Sequence, residues 1–414
     1  MIREFLIYFG AFVGLFGVIF YFLGLIGKKP RKEEEIKDFE LPSVSIIIPA
    51  YNEEKGIAET IKSALNQDYP REKLRVIVVD DGSKDKTYSI AKRFESKIVS
   101  VYTKKNGGKG AALNFGISKS GSEIIVTMDA DTIAEMRALK KMMPYFKRKD
   151  VMCVTPAMAI HNPRGFWARI QQIEYLLGIF LRKAFASMDA IHITPGAFSA
   201  YRKVFFDKYG GYDTSTITED MEIALRIQYH NYAIENSLDS VVYTVPPKTF
   251  RSMLNQRKRW YNGMILNLWR YRGLFSHKYG DMGVVVLPMA VITILMSIML
   301  TVQVFVQTLS NVWREFWLFS GINFDFSNFV QINKYVVERF FFSIFSNPLF
   351  VMSLLFVLIL LGYMFFAKKS VKKNAAVKFS LFLFLGFYSF LFSFWWIVSI
   401  IDTLLRRKVG WGKD

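Results

Sequence analysis

The chain has one cysteine, Cys153, and four histidines in 414 residues. A single thiol excludes an intramolecular disulfide framework and any thiolate-held metal cluster. With so little imidazole, a metal site has to be built from carboxylates, and oxygen ligands suit Mg²⁺ or Mn²⁺ rather than Zn²⁺. A Walker phosphate loop is absent too. The stretch Lys105-Asn106-Gly107-Gly108-Lys109-Gly110 has the glycines but neither the spacing nor the Lys-Ser/Thr ending, which argues against an ATPase. The formal net charge of +19 comes without any RNA- or DNA-binding motif, so nucleic acid is not the expected partner.

Charge is also missing from long blocks at the two ends of the chain. Residues 5–26 carry no charged side chain and are long enough to cross a bilayer core. They exceed the usual signal-peptide core, and no small-residue cleavage site follows, so they read as an uncleaved anchor. Further spans are expected at 284–309, 345–366 and 379–401. The resulting division is an N-terminal transmembrane helix at 1–27, a cytoplasmic domain at 42–250, an interfacial region at 251–280 and a C-terminal transmembrane region at 281–414. Lys28, Lys29, Arg31 and Lys32 place the domain on the cytoplasmic side of the plasma membrane, in a multi-pass protein. Counting spans puts Lys368, Lys369, Lys372 and Lys373 inside as well, but it puts Arg406, Arg407 and Lys408 outside, against the rule. Either the last apolar segment is re-entrant, or a segment within 311–344 crosses, or the rule fails here.

From 42 to about 120, short β-branched runs alternate with helical stretches, the pattern of an α/β sheet. Strands are expected at 44–48, 76–79, 98–102 and 124–128, and helices at 54–66, 86–94 and 109–118. Two later stretches, 165–185 and 252–270, mix large aromatics with basic groups. They fit the headgroup layer of a membrane, and equally a core helix of the soluble domain.

In such sheets ligands bind beyond the carboxyl ends of the strands, and the acidic motifs fall there. The first strand runs into Ala50-Tyr51-Asn52-Glu53, the second into Asp80-Asp81-Gly82-Ser83. Carboxylates there can accept from a base and ribose, although Asp-Asp-Gly-Ser is also a common turn. Lys109, at the start of the third helix, offers a point charge to phosphate. Asp129 and Asp131, two apart at the end of the fourth strand, would face the same way in extended chain and could share one hard cation; the bland reading is a pair of solvated loop acids. Thr218-Glu219-Asp220 opens a helical pattern, either as a simple N-cap or with Asp220 as a general base. Gln256-Arg257-Lys258-Arg259-Trp260 precedes the second span. It could anchor a helix to anionic lipid, or recognise a sugar with Trp260 and Gln256 and a diphosphate with Arg259.

Taken together and in this order, these motifs resemble the family 2 glycosyltransferases of the GT-A fold, and most of all the processive branch with the cellulose, chitin, hyaluronan and poly-N-acetylglucosamine synthases. The resemblance covers residues 42–269 and the flanking spans. It implies an α/β, GT-A (Rossmann-like) cytoplasmic domain with transmembrane and interfacial helices. It implies an inverting transfer from a UDP-sugar, N-acetylglucosamine or glucose, to a growing β-linked polysaccharide, with Mg²⁺ or Mn²⁺ as cofactor. Asp81, with Asp80, Tyr51, Ala50, Glu53 and Lys109, then belongs to the nucleotide-sugar site. Asp129 and Asp131 match the metal-diphosphate motif, with Asp131 the direct ligand. Asp220, beside Glu219, matches the base. Gln256, Arg259 and Trp260 match the acceptor and diphosphate motif, and the Thr194–Phe198 stretch, with Gly196 and Phe198, matches the acceptor loop. In several relatives that loop carries a Cys-Gly pair where this chain has Pro195-Gly196.

Two further readings remain at this point: transfer of a single sugar to a lipid-linked acceptor in the bilayer, and a non-catalytic nucleotide-binding transporter or receptor. The near absence of ionisable groups in the spans weighs against a substrate-coupled transporter. Nothing in the sequence names the sugar, the linkage or an export partner.

Overall fold

A computed structural model describes residues 2–27, 36–321, 334–346, 348–370, 377–405 and 407. Of the basic residues used above for orientation, Lys28, Lys29, Arg31, Lys32, Lys372, Lys373, Arg406 and Lys408 lie outside the described residues.

Helix α1 (Ile2–Gly27) precedes a unit of alternating strands and helices: β1 (Val44–Ala50), α2 (Ile57–Leu65), β2 (Leu74–Asp80), α3 (Thr87–Lys92), β3 (Val99–Thr103), α4 (Lys109–Ser118) and β4 (Ile124–Thr127). The chain continues through β5 (Ile133–Ala134), β6 (Val151–Ile160), α5 (Phe166–Ser187), β7 (Ser199–Arg202), α6 (Lys203–Tyr209), α7 (Glu219–Tyr229), β8 (Ala233–Thr244) and α8 (Phe250–Arg270). Four more helices follow: α9 (Leu287–Gly321), α10 (Lys334–Phe345), α11 (Pro348–Ser370) and α12 (Lys378–Leu404).

The strands form one eight-stranded sheet in the order β3-β2-β1-β4-β7-β6-β8-β5. β1 to β4 are mutually parallel, as the β-branched runs predict, while β7 is antiparallel to both β4 and β6. Every residue of β1 is buried, so helices must cover both faces of the sheet. α4 covers one of them so closely that a Cβ on Gly116 would collide with the side chain of Ile47. Because β2 and β4 flank β1 on opposite sides, the carboxyl ends of β1, β2 and β4 open onto a topological switch point.

Four helices are long and apolar enough to cross a membrane: Glu4–Leu25, Met282–Gly321, Pro348–Lys368 and Lys378–Leu404. These are the four expected segments, and together they mark a membrane protein. The second is longer than expected, a continuous helical run of 40 residues. α5 packs on two partners. Leu176 and Ile179 pack on the sheet residues Ala157 and Val241, while Phe180 stacks on Tyr363 of α11 with ring centroids 3.6 Å apart. It is a core helix on one face and the floor under the membrane helices on the other.

Candidate active site

The loops after β1 and β2 are tied to one another. The Asp81 N–H donates to Ala50 O (2.8 Å), the Asn52 N–H to Ser83 Oγ (3.0 Å), and the Glu53 N–H to Thr87 Oγ1 (2.7 Å). Asn52 takes a positive φ of 54°. A short amide side chain tolerates that left-handed turn better than most. Tyr51 is left exposed beside this junction, a ring at the strand ends where a base can stack.

The two aspartates of β2 do different things. Asp81, 2% exposed, accepts from the Gly107 N–H (3.1 Å), the Gly108 N–H (2.7 Å) and Lys104 Nζ (2.7 Å). It holds the glycine loop against the strand ends. Gly108 needs its freedom here, since its φ is +86° at the entry to α4. Asp80 accepts on Oδ2 from Thr103 Oγ1 (3.0 Å) and the Ser83 N–H (3.3 Å), while its buried Oδ1 has no hydrogen-bond partner among the described residues. The carboxylate oxygen open to a further donor in this pair therefore belongs to Asp80.

Lys109, the first residue of α4, crosses to the other acids. Its Nζ lies 2.6 Å from Asp129 Oδ1 and 3.1 Å from Glu219 Oε1. Burial opposes its charge, but Asp129, Glu219 and Asp220 around it hold its pKa well above the ordinary lysine value. Gly196 closes this cluster from above, with no room for a Cβ against Lys109 Nζ and with Asp129 Oδ1 at 3.2 Å from that position. Asp220 lies in the first turn of α7. Thr194 Oγ1 donates to its carbonyl oxygen (2.7 Å), and its own Oδ1 accepts from the Met221 N–H (2.9 Å). Burial first, then Glu219, push the Asp220 carboxyl up to about 7, with Asp129 adding to this and Lys109 and the Met221 N–H opposing.

Two expectations are corrected. Asp129-Ala130-Asp131 does not continue β4, which ends at Thr127; the motif is a turn closed by the Thr132 N–H donating to Asp129 O (3.0 Å). Strand alternation therefore does not aim the two carboxylates, and the turn does. Burial lifts the pKa of Tyr175 in α5 to about 12, with Arg257 pulling down and the charges of Glu174 and Asp131 pushing up. The second correction concerns Phe198. It is fully buried in the main core cluster with Ile46, Ile48 and Met128, so it supports the 194–198 stretch from inside the sheet and has no exposed face.

α8 carries the basic aromatic motif. Its N-terminus is fixed by a capping box between Thr249 and Ser252. Positions 256, 260, 263 and 267 fall on one stripe at helical spacing. On that stripe Gly263 lies so close to Thr218 that a Cβ would collide with its side chain, and Asn267 Nδ2 donates to Thr218 Oγ1 (2.9 Å). Gly263 and Asn267 thus meet the start of α7, while Trp260, one turn earlier on the stripe, packs against the cluster of Met253, Tyr261, Trp395 and Trp396. The Gln256 Oε1 is buried with no hydrogen-bond partner among the described residues. Sequence reasoning passed over Arg257. Its guanidinium is buried, paired to Glu174 at 2.6 Å, and stacked 4.3 Å from the centre of the Trp260 ring. It also passed over Gly263 and Asn267, whose signal was two small or amide residues four apart in a helix otherwise full of large side chains.

A parallel β/α half with acidic strand ends, joined to a mixed half that brings up a second acidic helix start, defines a GT-A nucleotide-sugar transferase fold. The same fold appears in a mannosyltransferase from Pyrobaculum calidifontis, solved in complex with GDP-Man and Mn²⁺ (TM-score 0.54, 24% identity, 70% of this chain and 85% of that one). At the level of sequence, residues 45–210 match the family described as Glycosyl transferase family 2, so the chain carries a glycosyl transferase family 2 domain. Among similar proteins is a poly-β-1,6-N-acetyl-D-glucosamine synthase of Staphylococcus aureus (strain COL), 28% identical over 269 residues, 63% of this chain and 65% of that one. Another of the same name, from Staphylococcus epidermidis, is 26% identical over 352 residues, 80% and 84% of the two chains. The match with the S. aureus protein spans about two thirds of that relative's length.

Proposed function

We propose that this protein transfers a sugar, with inversion, from a UDP-sugar to a growing β-linked polysaccharide at the cytoplasmic membrane face. N-acetylglucosamine is the sugar favoured over glucose, in line with the staphylococcal synthases. One observation carries the reading: Asp220, Glu219, Asp129 and Lys109 meet under Gly196, and Asp220 has its pKa near 7.

A base that titrates near neutrality can take a proton without being permanently charged or permanently neutral. Asp220 accepts the proton of the acceptor hydroxyl as that oxygen attacks the anomeric carbon, and the bond to the diphosphate oxygen breaks on the opposite face. An α-linked donor then gives a β-linked product. Trp260 offers its ring to the acceptor sugar and Gln256 its unpartnered Oε1 to a hydroxyl. Arg259 takes the departing diphosphate. Asp80, through its open Oδ1, and Tyr51 hold the nucleoside, with Asp81 anchoring the glycine loop beside them.

Asp129 and Asp131 offer carboxylate oxygens only, and Asp129 already draws a cation, the Lys109 ammonium. That chemistry fits a hard divalent ion, Mg²⁺ or Mn²⁺, held by Asp129 and Asp131 together with diphosphate oxygens. When bound, such an ion supplies positive charge to the leaving diphosphate. Among the described residues no three acidic, histidine or cysteine side chains form a ready-made cage, so Asp129 and Asp131 are the residues that would hold the ion.

The test is product sizing. Purified full-length protein is incubated with UDP-N-acetylglucosamine and Mn²⁺, and separately with UDP-glucose. A ladder of β-linked oligomers from the first donor is expected. One sugar per lipid would replace the polymer reading with lipid glycosylation, and UDP binding without any transfer would replace it with a receptor or transporter.

A further inference from the structure

The apolar helix α12 contains one acid, Asp402, close to its C-terminal end. A carboxylate in such a helix is costly unless it is paired, and it is a sign of function by default. Its side chain is 3% exposed, and Oδ2 lies 2.6 Å from Lys258 Nζ of α8. Arg407 brings a second cation to Oδ1 at 3.5 Å, and its N–H donates to the Asp402 carbonyl (2.9 Å). The next residue, Thr403, donates from Oγ1 to Asn262 Oδ1 (2.7 Å). One and a half turns earlier, Trp396 lies flat on Tyr261, with centroids 4.3 Å apart and planes within 6°.

The positions gripped on α8 are therefore 258, 261 and 262. At 100° per residue they point away from the stripe formed by 256, 260, 263 and 267. α12 grips α8 at these positions, while Gly263 and Asn267 of the stripe meet Thr218 at the start of α7. Lys258 is two residues from Trp260, so the ion pair fixes both the rotation and the height of the helix that presents Gln256, Arg259 and Trp260.

The other end of α12 also touches the catalytic domain. Ser380 Oγ donates to Gln172 Oε1 of α5 (2.8 Å), and the Arg169 guanidinium lies over the Phe379 ring at 5.3 Å. From Ser380 to Asp402 the helix rises about 33 Å, the full thickness of a hydrocarbon core. A helix crossing that core would carry one end to the far side, away from the domain. Here both ends rest on helices α5 and α8 of the same domain.

We propose that α12 is a clamp lying along α5 and α8 rather than a membrane span, and that Asp402, acting through Lys258, is a positioning residue for sugar transfer. The conflict over charge then disappears, since Lys368 in the last turn of α11 and Arg407 after α12 lie on the same side of the bilayer. This inference rests on the transferase reading for its kinetic part only.

Two measurements test it. In full-length protein reconstituted in nanodiscs, Asp402→Asn is expected to lower acceptor-dependent kcat/KM by about a hundredfold, the scale of an ångström-sized misplacement. UDP affinity should stay within twofold. Asp402→Glu should recover most of the loss, and so should the exchanged pair Lys258→Asp with Asp402→Lys. Unchanged transfer in Asp402→Asn overturns the positioning role. So does loss of transfer and UDP binding together that neither rescue repairs.

The second measurement needs no activity. In a Cys153→Ser background, which removes the one buried thiol, single cysteines are placed at Lys413 and at Lys149 on the catalytic domain. A membrane-impermeant maleimide is expected to label both in the same vesicle orientation. Labelling of the two in opposite orientations makes α12 a span and overturns the clamp. Wild-type protein without any transfer would defeat the transferase reading, and the labelling result would still decide the clamp.

Discussion

Two acidic pairs look alike on paper, Asp80-Asp81 after β2 and Glu219-Asp220 at the start of α7, yet their surroundings separate them. Asp81 is met by two backbone N–H groups and a lysine, all aimed at its oxygens. Asp220 is buried with a single N–H on its carboxylate and with Glu219 beside it. The first arrangement makes a charged group into a structural anchor. The second makes it a group that gains and loses a proton near neutral pH. What differs is the count of donors supplied by the fold, which residue type alone does not report.

The largest expected effect tests the Asp220 side of the comparison. Asp220→Asn keeps the shape and removes the basic oxygen, so turnover should fall by about a thousandfold, within the usual range for a positioned base. UDP affinity, measured by calorimetry, should stay within a few fold. Normal turnover would hand the role of base to another group.

The pH dependence follows in size. kcat/KM should fall about tenfold for each pH unit below 7 and level off above it, as Asp220 loses its proton. Stability runs the other way. The folded value, about 7, lies above the ordinary 3.8, so the native state holds a proton that the unfolded chain releases between them. The contribution of this group is complete below about pH 4 and is lost as pH rises through about 7. Thermal unfolding at pH 6 and pH 8 should show that loss in the wild type and less of it in Asp220→Asn, which carries no titrating group there.

Asp81→Ala attacks the other pair. It leaves Lys104 and the Gly107 and Gly108 N–H groups facing a void, at a cost of about 3 kcal/mol of stability. UDP affinity should fall with it because the glycine loop loses its anchor, while any remaining activity keeps the wild-type pH profile. A shifted profile would mean that the Asp81 loop acts on the Asp220 cluster and would erase the distinction between the two pairs.

The parallel half of this fold is legible in the sequence because its signals are local. β-branched runs, N-terminal helix starts and the glycine loop place β1 to β4 and α2 to α4 within a few residues of where they lie. The mixed half, where β7 runs antiparallel to β6 and β8 runs parallel to it, is not. β6 and β8 pair across some eighty residues with two register shifts, and β8 carries Glu235, Asn236 and Asp239, which spoil its apolar run. The same distance hides the contacts that assemble the site. Nothing near Arg257 announces Glu174, and nothing near Gly263 announces Thr218. The apolar length of α12 was legible as well, but length reports the capacity to cross a bilayer and not the neighbours that hold the helix. Asp402 is the residue where the two diverge.

Gly263→Ala and Phe198→Leu sharpen the comparison at smaller scale, one at the face of the site and one behind it. The methyl group of Gly263→Ala has to displace Thr218, which moves α8 from the start of α7, so acceptor KM should rise about tenfold with UDP affinity unchanged. Phe198→Leu removes volume from the core beneath Gly196, where the neighbouring side chains can close in, at a cost of about 1 kcal/mol. Chemical denaturation should register that loss, while acceptor KM stays within twofold because no face of Phe198 reaches the cluster. A KM change as large as that of Gly263→Ala, without loss of stability, would return Phe198 to the acceptor site and show that burial in this loop is not a guide to its role.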